Sequence, residues 1–597
     1  MQKRYFLLAL ICLPVLLYLN ALPNAFQYDD LHTLVNNPHI RSETFGDALA
    51  KLPDFFVSSQ YYSGETHHVS HFRPVLYATY IMNYAVTGLS PVGFRGVNLG
   101  LHIGCVVLVY FLARRLLGDS VMAFLSALIL AIHPFFSEAV NYISARSSLL
   151  ATLFYLMSFY NFIRYRDCWG TVRPAVIHYS LFLLFLILAF LSKEIALTLP
   201  LILVIYDLQF TQFKGPRKSF KMFLPYLPVA AASLFLLHEI DFLQYLNNTY
   251  LNNHFSTDNF KVILAQIKGL ALMFWLFVLP LGLSIDHGSL RVDSLLDPVL
   301  AGAILVLMGI LVCAFLLRRS QPALAFSLHW FMVTAIPTTL VPLNVPFLEH
   351  RGYLPGIGLA IILGYILTRV GRGEWLTVRE GRPKPFPFPW AMVLIVLVLV
   401  FYGGITVHQN KVWKDQITLW RKAVEKVPGS ERAWTNLGLA YLSSQDQAHA
   451  LEAFNEALLI RPENPIALVG KGSLYHAQGK IDEAIEAYQK ALKVQSSYFL
   501  SHFNLGVAYQ QKGDLEKALQ AYQEALKLNA HHPQTHLNLG SIYLALGKYE
   551  LAIEEYRESL RLDPESTDAH YNLGVTYETL GRTDLANDHY RKSRHLR

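Results

Sequence analysis

The feature that most constrains this chain is a repeat of 34 residues that begins at residue 431 and continues to the C-terminus. Each copy holds a glycine, with a tyrosine three residues later, an alanine twelve later and an aromatic residue sixteen later. Small residues let two antiparallel helices approach closely, and aromatic rings fill the space between helix pairs. The pattern predicts a solenoid of helix hairpins whose glycines are Gly438, Gly472, Gly506, Gly540 and Gly574.

This pattern resembles the tetratricopeptide repeat, with predicted units at 431–464, 465–498, 499–532, 533–566 and 567–597. Trp420, Ala423 and Pro428 share the repeat phase upstream, so a half repeat is predicted within a connecting helix at 409–430. Four units carry the triplet Asn Leu Gly. These amides either bind the backbone of an extended acceptor polypeptide along the groove or tie neighbouring helices together. They are Asn436, Asn504, Asn538 and Asn572.

Residues 1–408 have the composition of a multi-pass membrane domain, since the chain is 53% hydrophobic and only 16% charged and the apolar excess lies before residue 408. The segment 260–283 is also apolar, but we expect it to dip into the bilayer or lie flat without crossing. Eleven crossing helices are predicted, at 5–22, 95–113, 120–135, 143–163, 175–191, 195–210, 222–238, 299–317, 323–342, 352–369 and 390–407.

Clusters of arginine and lysine assign the cytoplasmic ends of these spans. With eleven spans and a cytoplasmic N-terminus, the repeats are predicted to lie outside the cytoplasm, in the periplasm, at the cell exterior or in the lumen of the endoplasmic reticulum. No basic, aromatic-studded surface that would suit nucleic acid is evident. The clusters are Lys3 and Arg4, Arg114 and Arg115, 164–173, 214–221, Arg318 and Arg319, and 369–384.

An acidic pair, Asp29 and Asp30, follows the first predicted span directly. Partial desolvation near lipid and a neighbouring negative charge both disfavour ionisation, so the pKa of one carboxyl can rise toward that of a general base. The alternative is that the pair caps a short helix or solvates the loop. We interpret the pair as catalytic.

Further ionisable residues stand at the predicted outer ends of the spans. Such groups are costly near hydrocarbon, and a convergent set indicates a substrate site. Arginine and lysine there suit a phosphate leaving group. No glycine-rich nucleotide loop is present, which favours a donor presented from the lipid phase. The predicted donor-binding residues are Arg73, His133, Glu138, Arg146, Lys193, Glu194, Glu349, His350 and Arg351.

The order of motifs resembles the transmembrane and tetratricopeptide-repeat-containing glycosyltransferases, which are related to protein O-mannosyltransferases. The resemblance implies an all-α fold, with a GT-C-type membrane domain followed by an extracytoplasmic α-solenoid. It also implies inverting transfer of a sugar such as mannose from a polyprenyl phosphate to Ser or Thr of exported polypeptides. The motifs are Asp29 Asp30, Arg73 Pro74, VNLGLHI at 97–103, HPFFSEA with SARSSLL, SKE at 192–194, LSID at 283–286 and EHRGYLP at 349–355.

By position, the resemblance makes Asp29 the base that activates the acceptor and Asp30 the residue that orients either Asp29 or the acceptor. Arg146, Lys193 and Arg351 become contacts to the donor phosphate. No certain cofactor is predicted, and the acidic pair offers too few ligands to require a metal, although a divalent cation stays an open alternative. Two other functions also stay open: a non-catalytic membrane scaffold for envelope assembly, and a lipid-linked oligosaccharide ligase or polymerase.

Overall fold

The computed structural model describes residues 2–42, 44–57, 72–168, 172–211, 226, 229–230, 257–288, 290, 292, 294, 296–340, 347–372 and 388–596. These residues form helices and no strand, so the predicted all-α fold is confirmed. They divide into two compact units, the first ending at Val427 and the second beginning at Pro428. The predicted span at 222–238 lies almost wholly outside the described residues.

The described part of the first unit is a bundle of helices. A π-helical turn, Leu31–Val35, and four 3-10 turns, Pro38–Ile40, Pro134–Phe136, Ile143–Ala145 and Glu194–Thr198, interrupt its first half, and another, Glu349–Gly352, its second. Its α-helices are Gln2–Tyr18, Phe45–Val57, Pro74–Thr87, Pro91–Leu117, Ser120–Ile132, Ser137–Asn141, Arg146–Asp167, Val172–Phe190, Leu199–Phe210, Thr257–Val278, Pro298–Leu317, Pro322–Thr334, Ile336–Leu340, Tyr353–Gly371, Phe388–Val412 and Gln416–Lys426.

Six of the described helices are long and apolar enough to cross a membrane, and seven if the pair Ser120–Ile132 and Pro134–Asn141, bent by 53°, is one span. This is fewer than the eleven predicted. Gln2–Tyr18 has 17 residues and Leu199–Phe210 has 12, whereas about 20 are needed to span the hydrocarbon. An apolar stretch of sequence does not reveal where a turn interrupts it and leaves a helix too short to cross the membrane. The number of crossings stays a prediction.

The apolar segment 260–283 forms most of one continuous helix, Thr257–Val278. By length and composition alone, Phe260–Val278 is among the six helices that could cross a membrane. The prediction that it does not cross therefore depends on where its side chains make contact, and not on its length.

The second unit consists of five helix hairpins, as the repeat predicts. A Cβ atom added at Gly438 would lie 2.6 Å from the ring of Phe454, and the other four phase glycines meet the aromatic residue of their own repeat in the same way. Close approach at glycine is thus the packing rule of the solenoid. The helices are Glu431–Ser443, Gln447–Ile460, Pro465–Ala477, Ile481–Val494, Phe499–Lys512, Leu515–Leu528, Pro533–Ala545, Tyr549–Leu562, Thr567–Thr579 and Thr583–His595.

The turn inside each hairpin needs a left-handed backbone. Glycine supplies it in four repeats, at Gly479, Gly513, Gly547 and Gly581, with φ between 70° and 84°. In the first repeat the corresponding residue is Gln445, with φ of 63°. A side chain with a Cβ atom is strained in this region, so the first hairpin makes the same turn as the others but with backbone strain at Gln445.

We expect the substitution Gln445→Gly to stabilise the first hairpin by about 0.5–1 kcal/mol, because it removes this strain at some cost in unfolded-state entropy. Hydrogen exchange of the amides in Glu431–Ser443 and Gln447–Ile460, measured on the full chain, reports the change. The reverse substitution, Gly547→Gln, is the matched control and should speed exchange in the fourth repeat. Unchanged protection in both variants would contradict the account of the turn.

Candidate active site

The two acidic residues behind the first helix have different surroundings. Asp30 is fully buried. Its Oδ1 accepts hydrogen bonds from the backbone N of Ser144 at 2.8 Å and from the Ser144 hydroxyl at 2.6 Å, and its Oδ2 accepts from the backbone N of Gln27 at 3.0 Å. Burial raises the pKa of Asp30 to about 6, although these hydrogen bonds and the charge of Arg95 act in the opposite direction.

Asp29 is the accessible member of the pair. It is half-buried, and the Tyr142 hydroxyl donates a hydrogen bond to its Oδ2. The preceding residue, Tyr28, has a φ of 42°, a strained value for a residue with a side chain. Strain of this kind persists only where the surrounding structure fixes the backbone, and it is common beside functional groups. The geometry thus separates a fixed carboxyl, Asp30, from one that can meet a substrate, Asp29.

Lys193 is a buried cation whose hydrogen-bond partner, Ser148, lies four residues after Ser144, the partner of Asp30. Only 8% of it is exposed, and its Nζ donates to the Ser148 hydroxyl at 2.8 Å. Burial lowers the pKa of Lys193 to about 7; the positive charges of Arg73 and Arg351 lower it further, while Glu194 and Glu138 oppose this. The four residues named with Lys193 therefore lie close enough to share one electrostatic field.

The acidic and basic groups are held by one stretch of chain. Ser144, in the 3-10 turn Ile143–Ala145, holds Asp30. Ser148, in the first turn of helix Arg146–Asp167, holds Lys193. One short segment therefore binds both a carboxyl of the acidic pair and a buried amine.

The remaining predicted site residues form ion pairs around this centre. Arg73 donates from Nη2 to both oxygens of Glu194 at 3.1 Å. His350 contacts Glu138 twice, from Nδ1 at 2.7 Å and from its backbone N at 3.1 Å. The imidazole of His350 also lies edge-on to Tyr142, with ring centroids 5.9 Å apart. His350 therefore connects Glu138 to the residue that holds Asp29.

Glu349 is bound by a different segment of the chain, the one that holds Ser284 and His287. Its Oε1 accepts a hydrogen bond from the backbone N of Ser284 at 2.7 Å and lies 3.1 Å from Nε2 of His287. Ser284 belongs to the LSID motif, so this contact brings two of the predicted motifs together. Glu349 is 4% exposed and serves to join these loops.

Two predicted donor contacts, Arg146 and His133, are part of the protein interior instead. Arg146 is fully buried and makes five hydrogen bonds, to Asn98, Asn83, Phe94 and twice to Thr79, which matches the five donors of a guanidinium. It has no donor left for a phosphate. The sequence indicated that the charge of Arg146 is costly to bury, but it could not show that carbonyl, amide and hydroxyl oxygens already surround the guanidinium.

His133 is also fully buried. Its Nε2 donates to the backbone O of Phe277 at 2.9 Å, its Nδ1 accepts from the backbone N of Phe135 at 3.2 Å, and its ring stacks on Phe277. Both ring nitrogens are used. The structure therefore assigns His133 to the support of the outer loops and not to the cluster around Lys193.

Arg95 and Tyr142 are important here and were missed from the sequence. The Arg95 guanidinium is fully buried, donates to the carbonyl of Asn141 at 2.9 Å and also bonds to the carbonyls of Asn24 and Ala25. It fixes the segment that leads into the acidic pair. An arginine inside the apolar run Pro91–Leu117 was the available signal. Nothing in the sequence distinguished Tyr142 from other tyrosines.

Among the residues that the structure describes, no group of three or more His, Cys, Asp or Glu is arranged to hold a metal ion. The question of a divalent cation therefore stays open.

The repeat asparagines lie half-buried on the first helix of each hairpin. Three of them donate from Nδ2 to the preceding repeat: Asn504 to Ser473 at 3.5 Å, Asn538 to Tyr522 at 3.2 Å and Asn572 to Ser541 at 3.4 Å. Asn436 donates to its own helix, at the carbonyl of Arg432. The contacts favour the interpretation that these amides tie helices together, and they leave the role in peptide binding as a prediction.

Comparison with known proteins finds similarity to a mannosyltransferase family and to tetratricopeptide repeats. The family described as dolichyl-phosphate-mannose-protein mannosyltransferase matches residues 39–256, and tetratricopeptide repeat families match 431–464, 472–513, 499–532 and 540–581. Human "Protein O-mannosyl-transferase TMTC1" is 25% identical over 77% of this chain and 55% of its own length. "Protein O-mannosyl-transferase F38B6.6" of Caenorhabditis elegans is 27% identical over 61% of this chain and 51% of its own.

The chain thus combines a helical domain that matches the mannosyltransferase family over residues 39–256 with tetratricopeptide repeats. Over much of its length it is similar to the TMTC protein O-mannosyl-transferases, which confirms the resemblance seen in its motifs. It spans about half the length of the curated relatives that it matches along most of its sequence. Among solved structures, the crystal structure of MamA is 26% identical over 27% of this chain and 94% of that one, with a TM-score of 0.25.

We expect Arg146→Lys to lower stability without weakening donor binding. Lysine keeps the charge but cannot serve all the acceptors around it, and each buried acceptor left unpaired costs about 1–3 kcal/mol. Thermal unfolding in detergent measures the loss of stability, and titration of the remaining folded protein with a polyprenyl phosphate measures binding. A variant of normal stability that no longer binds the lipid would return Arg146 to the donor site.

Proposed function

We propose that this chain is an integral membrane glycosyltransferase that transfers a monosaccharide, mannose or a similar hexose, from a polyprenyl-phosphate sugar to Ser or Thr hydroxyls of exported polypeptides. The observation that carries the proposal is that one segment, residues 142–148, binds the accessible carboxylate Asp29 through Tyr142, the buried Asp30 through Ser144 and the buried Lys193 through Ser148. The mannosyltransferase family match and the names of the relatives support it.

In the proposed reaction, Asp29 takes the proton from the acceptor hydroxyl as its oxygen attacks the anomeric carbon of the sugar. The bond from that carbon to the phosphate oxygen breaks on the opposite face, so the configuration inverts. The lipid phosphate leaves with the electron pair and the added negative charge. Since Tyr142 occupies Oδ2, Oδ1 of Asp29 is the atom that faces the hydroxyl.

The cations counter the charge on the leaving phosphate. Burial lowers the pKa of Lys193 to about 7, so its amine can gain positive charge as the leaving phosphate takes up its second negative charge. Arg351 lies within its electrostatic reach, and Arg73, held by the 44%-exposed Glu194, can exchange that carboxylate for phosphate oxygens. Glu138, His350 and Glu349 are the proposed contacts to sugar hydroxyls, directly or through one another.

This proposal places the donor, the exported acceptor and the repeats on the extracytoplasmic side of the bilayer. The five hairpins would hold an extended acceptor polypeptide, with the carboxamide oxygens of Asn436, Asn504, Asn538 and Asn572 accepting hydrogen bonds from its backbone. Lys193 is a buried amine with three donors that makes one hydrogen bond within the described part of the chain, to Ser148, so it keeps a capacity for a ligand that the fully bonded Arg146 lacks. This residue therefore favours the enzyme over a scaffold.

We expect Asp29→Asn to lower the rate of transfer by about 10²- to 10⁴-fold, the usual contribution of a general base, while the protein stays folded. The assay uses the purified full chain, a polyprenyl-phosphate hexose and a peptide rich in Ser and Thr. The matched control is Asp54→Asn, which makes the same chemical change at an exposed carboxylate and should leave the rate unchanged. Full activity of the Asp29 variant would exclude this residue as the base.

We also expect activity to rise with pH through about 6. Because burial raises the pKa of Asp30, its carboxylate protonates at a pH at which an exposed aspartate stays charged, and it then loses hydrogen bonds that orient Asp29. A plot of the logarithm of kcat/KM against pH measures this rise. Recovery of activity on return to pH 7.5 is the control for unfolding. A rate that stays constant from pH 7.5 to 4.5 would contradict the assignment.

A further inference from the structure

Contacts along helix Thr257–Val278 indicate how it lies in the membrane. Lys268 forms an ion pair with Asp297, Nζ to Oδ2 at 2.9 Å, and the backbone of Gly269 packs on Phe347, 3.1 Å from the position of an added Cβ. Nine residues after Lys268, the carbonyl of Phe277 accepts a hydrogen bond from His133 at 2.9 Å. These contacts connect the helix to three other apolar helices.

The positions of arginine clusters on the three partner helices indicate that the contact points lie at the same side of the membrane. Asp297 caps the start of Pro298–Leu317, which is followed by Arg318 and Arg319. Phe347 precedes Glu349–Gly371, which holds Arg369 near its end. His133 ends the helix Ser120–Ile132, and Arg114 and Arg115 come before that helix. In each case the contact is made at the end opposite the arginine cluster that the positive-inside rule assigns to the cytoplasm.

A helix that crosses the bilayer would change its partners from one side to the other along its length. The segment from Leu264, which packs with Leu300, to Phe277 is about 20 Å long, two thirds of the hydrocarbon thickness of about 30 Å. Leu300 lies only three residues after Asp297 in the chain. The partners thus stay at one side over a distance in which a crossing helix would almost reach the other.

We propose that helix Thr257–Val278 lies along the membrane surface opposite these cytoplasmic arginine clusters and contacts the acyl chains of that leaflet. Its lipid-facing residues are Phe260, Trp275 and Val278, which are 41%, 57% and 52% exposed and share one helix face. The opposite face packs on the protein through Ala265, Met273 and Leu276, and tryptophan is favoured at the level of the lipid headgroups.

The surface helix also supports the candidate site. Its Phe277 carbonyl orients His133, and the chain that follows it brings the backbone N of Ser284 to Glu349 at 2.7 Å. A membrane-bound helix therefore leads directly into the loop that holds the EHRG motif. This inference does not depend on the proposed enzymatic function.

Depth measurements on the full chain in phosphatidylcholine vesicles test the proposal. Single cysteines at Phe260→Cys, Ala271→Cys and Val278→Cys carry nitroxide labels, after replacement of the four native cysteines. Relative accessibility to oxygen and to a nickel chelate gives the depth of each label. We expect three equal depths, since the positions span one face of a flat helix. A label at 271 that is about 10 Å deeper than those at 260 and 278 would overturn the proposal.

Val299→Cys, Met308→Cys and Leu316→Cys provide the matched control, because these exposed positions lie on Pro298–Leu317 and the middle label should be deepest. If a labelled variant does not fold, the fluorescence lost in Trp275→Phe gives a second measurement. The fluorescence that Trp275 contributes should be quenched more by lipid brominated near the headgroup than by lipid brominated near the chain end. The reverse order would also overturn the proposal.

Discussion

The candidate site depends on one short segment, residues 137–148, where the chain passes from a broken helix into Arg146–Asp167. Within it, Glu138 binds His350, Tyr142 binds Asp29, Ser144 binds Asp30 and Ser148 binds Lys193. Charged groups near hydrocarbon persist only when hydrogen bonds compensate for lost hydration. Because one rigid segment supplies those bonds, the positions of the acid and the cation are fixed relative to each other.

The interior below this segment has the opposite character. Arg146 and Arg95 are buried charges whose donors are used by carbonyl and amide oxygens, so they act as cross-links between helices. Such residues determine where the loops lie, but they do not meet a substrate. The difference between a supporting charge and a site charge is whether any hydrogen-bonding capacity is left over. Asp29, Arg73 and Glu194 keep some exposure, whereas Arg146 keeps none.

The sequence predicted the architecture because periodicity reports packing directly. Gly438 and its equivalents recur every 34 residues, since each must meet an aromatic ring of its own hairpin. The site could be predicted only in part. Motifs indicated Asp29, Asp30 and Lys193, because charge beside lipid is rare. His133 and Arg146 are also polar residues beside lipid, but the structure uses them to support the fold. Tyr142 could not be identified, because a contact between distant parts of the chain leaves no periodic pattern in the sequence.

Binding of a polyprenyl phosphate to the full chain, compared between the wild type and Lys193→Met, tests the central claim that the acidic pair and this lysine form one site for a lipid phosphate. Calorimetry in buffers of different ionisation enthalpy counts the protons exchanged. The wild type should take up a proton near pH 7.5, because the phosphate raises the pKa of Lys193. The variant should bind at least about tenfold more weakly and take up none. Equal affinity and equal proton uptake in the two proteins would contradict the account.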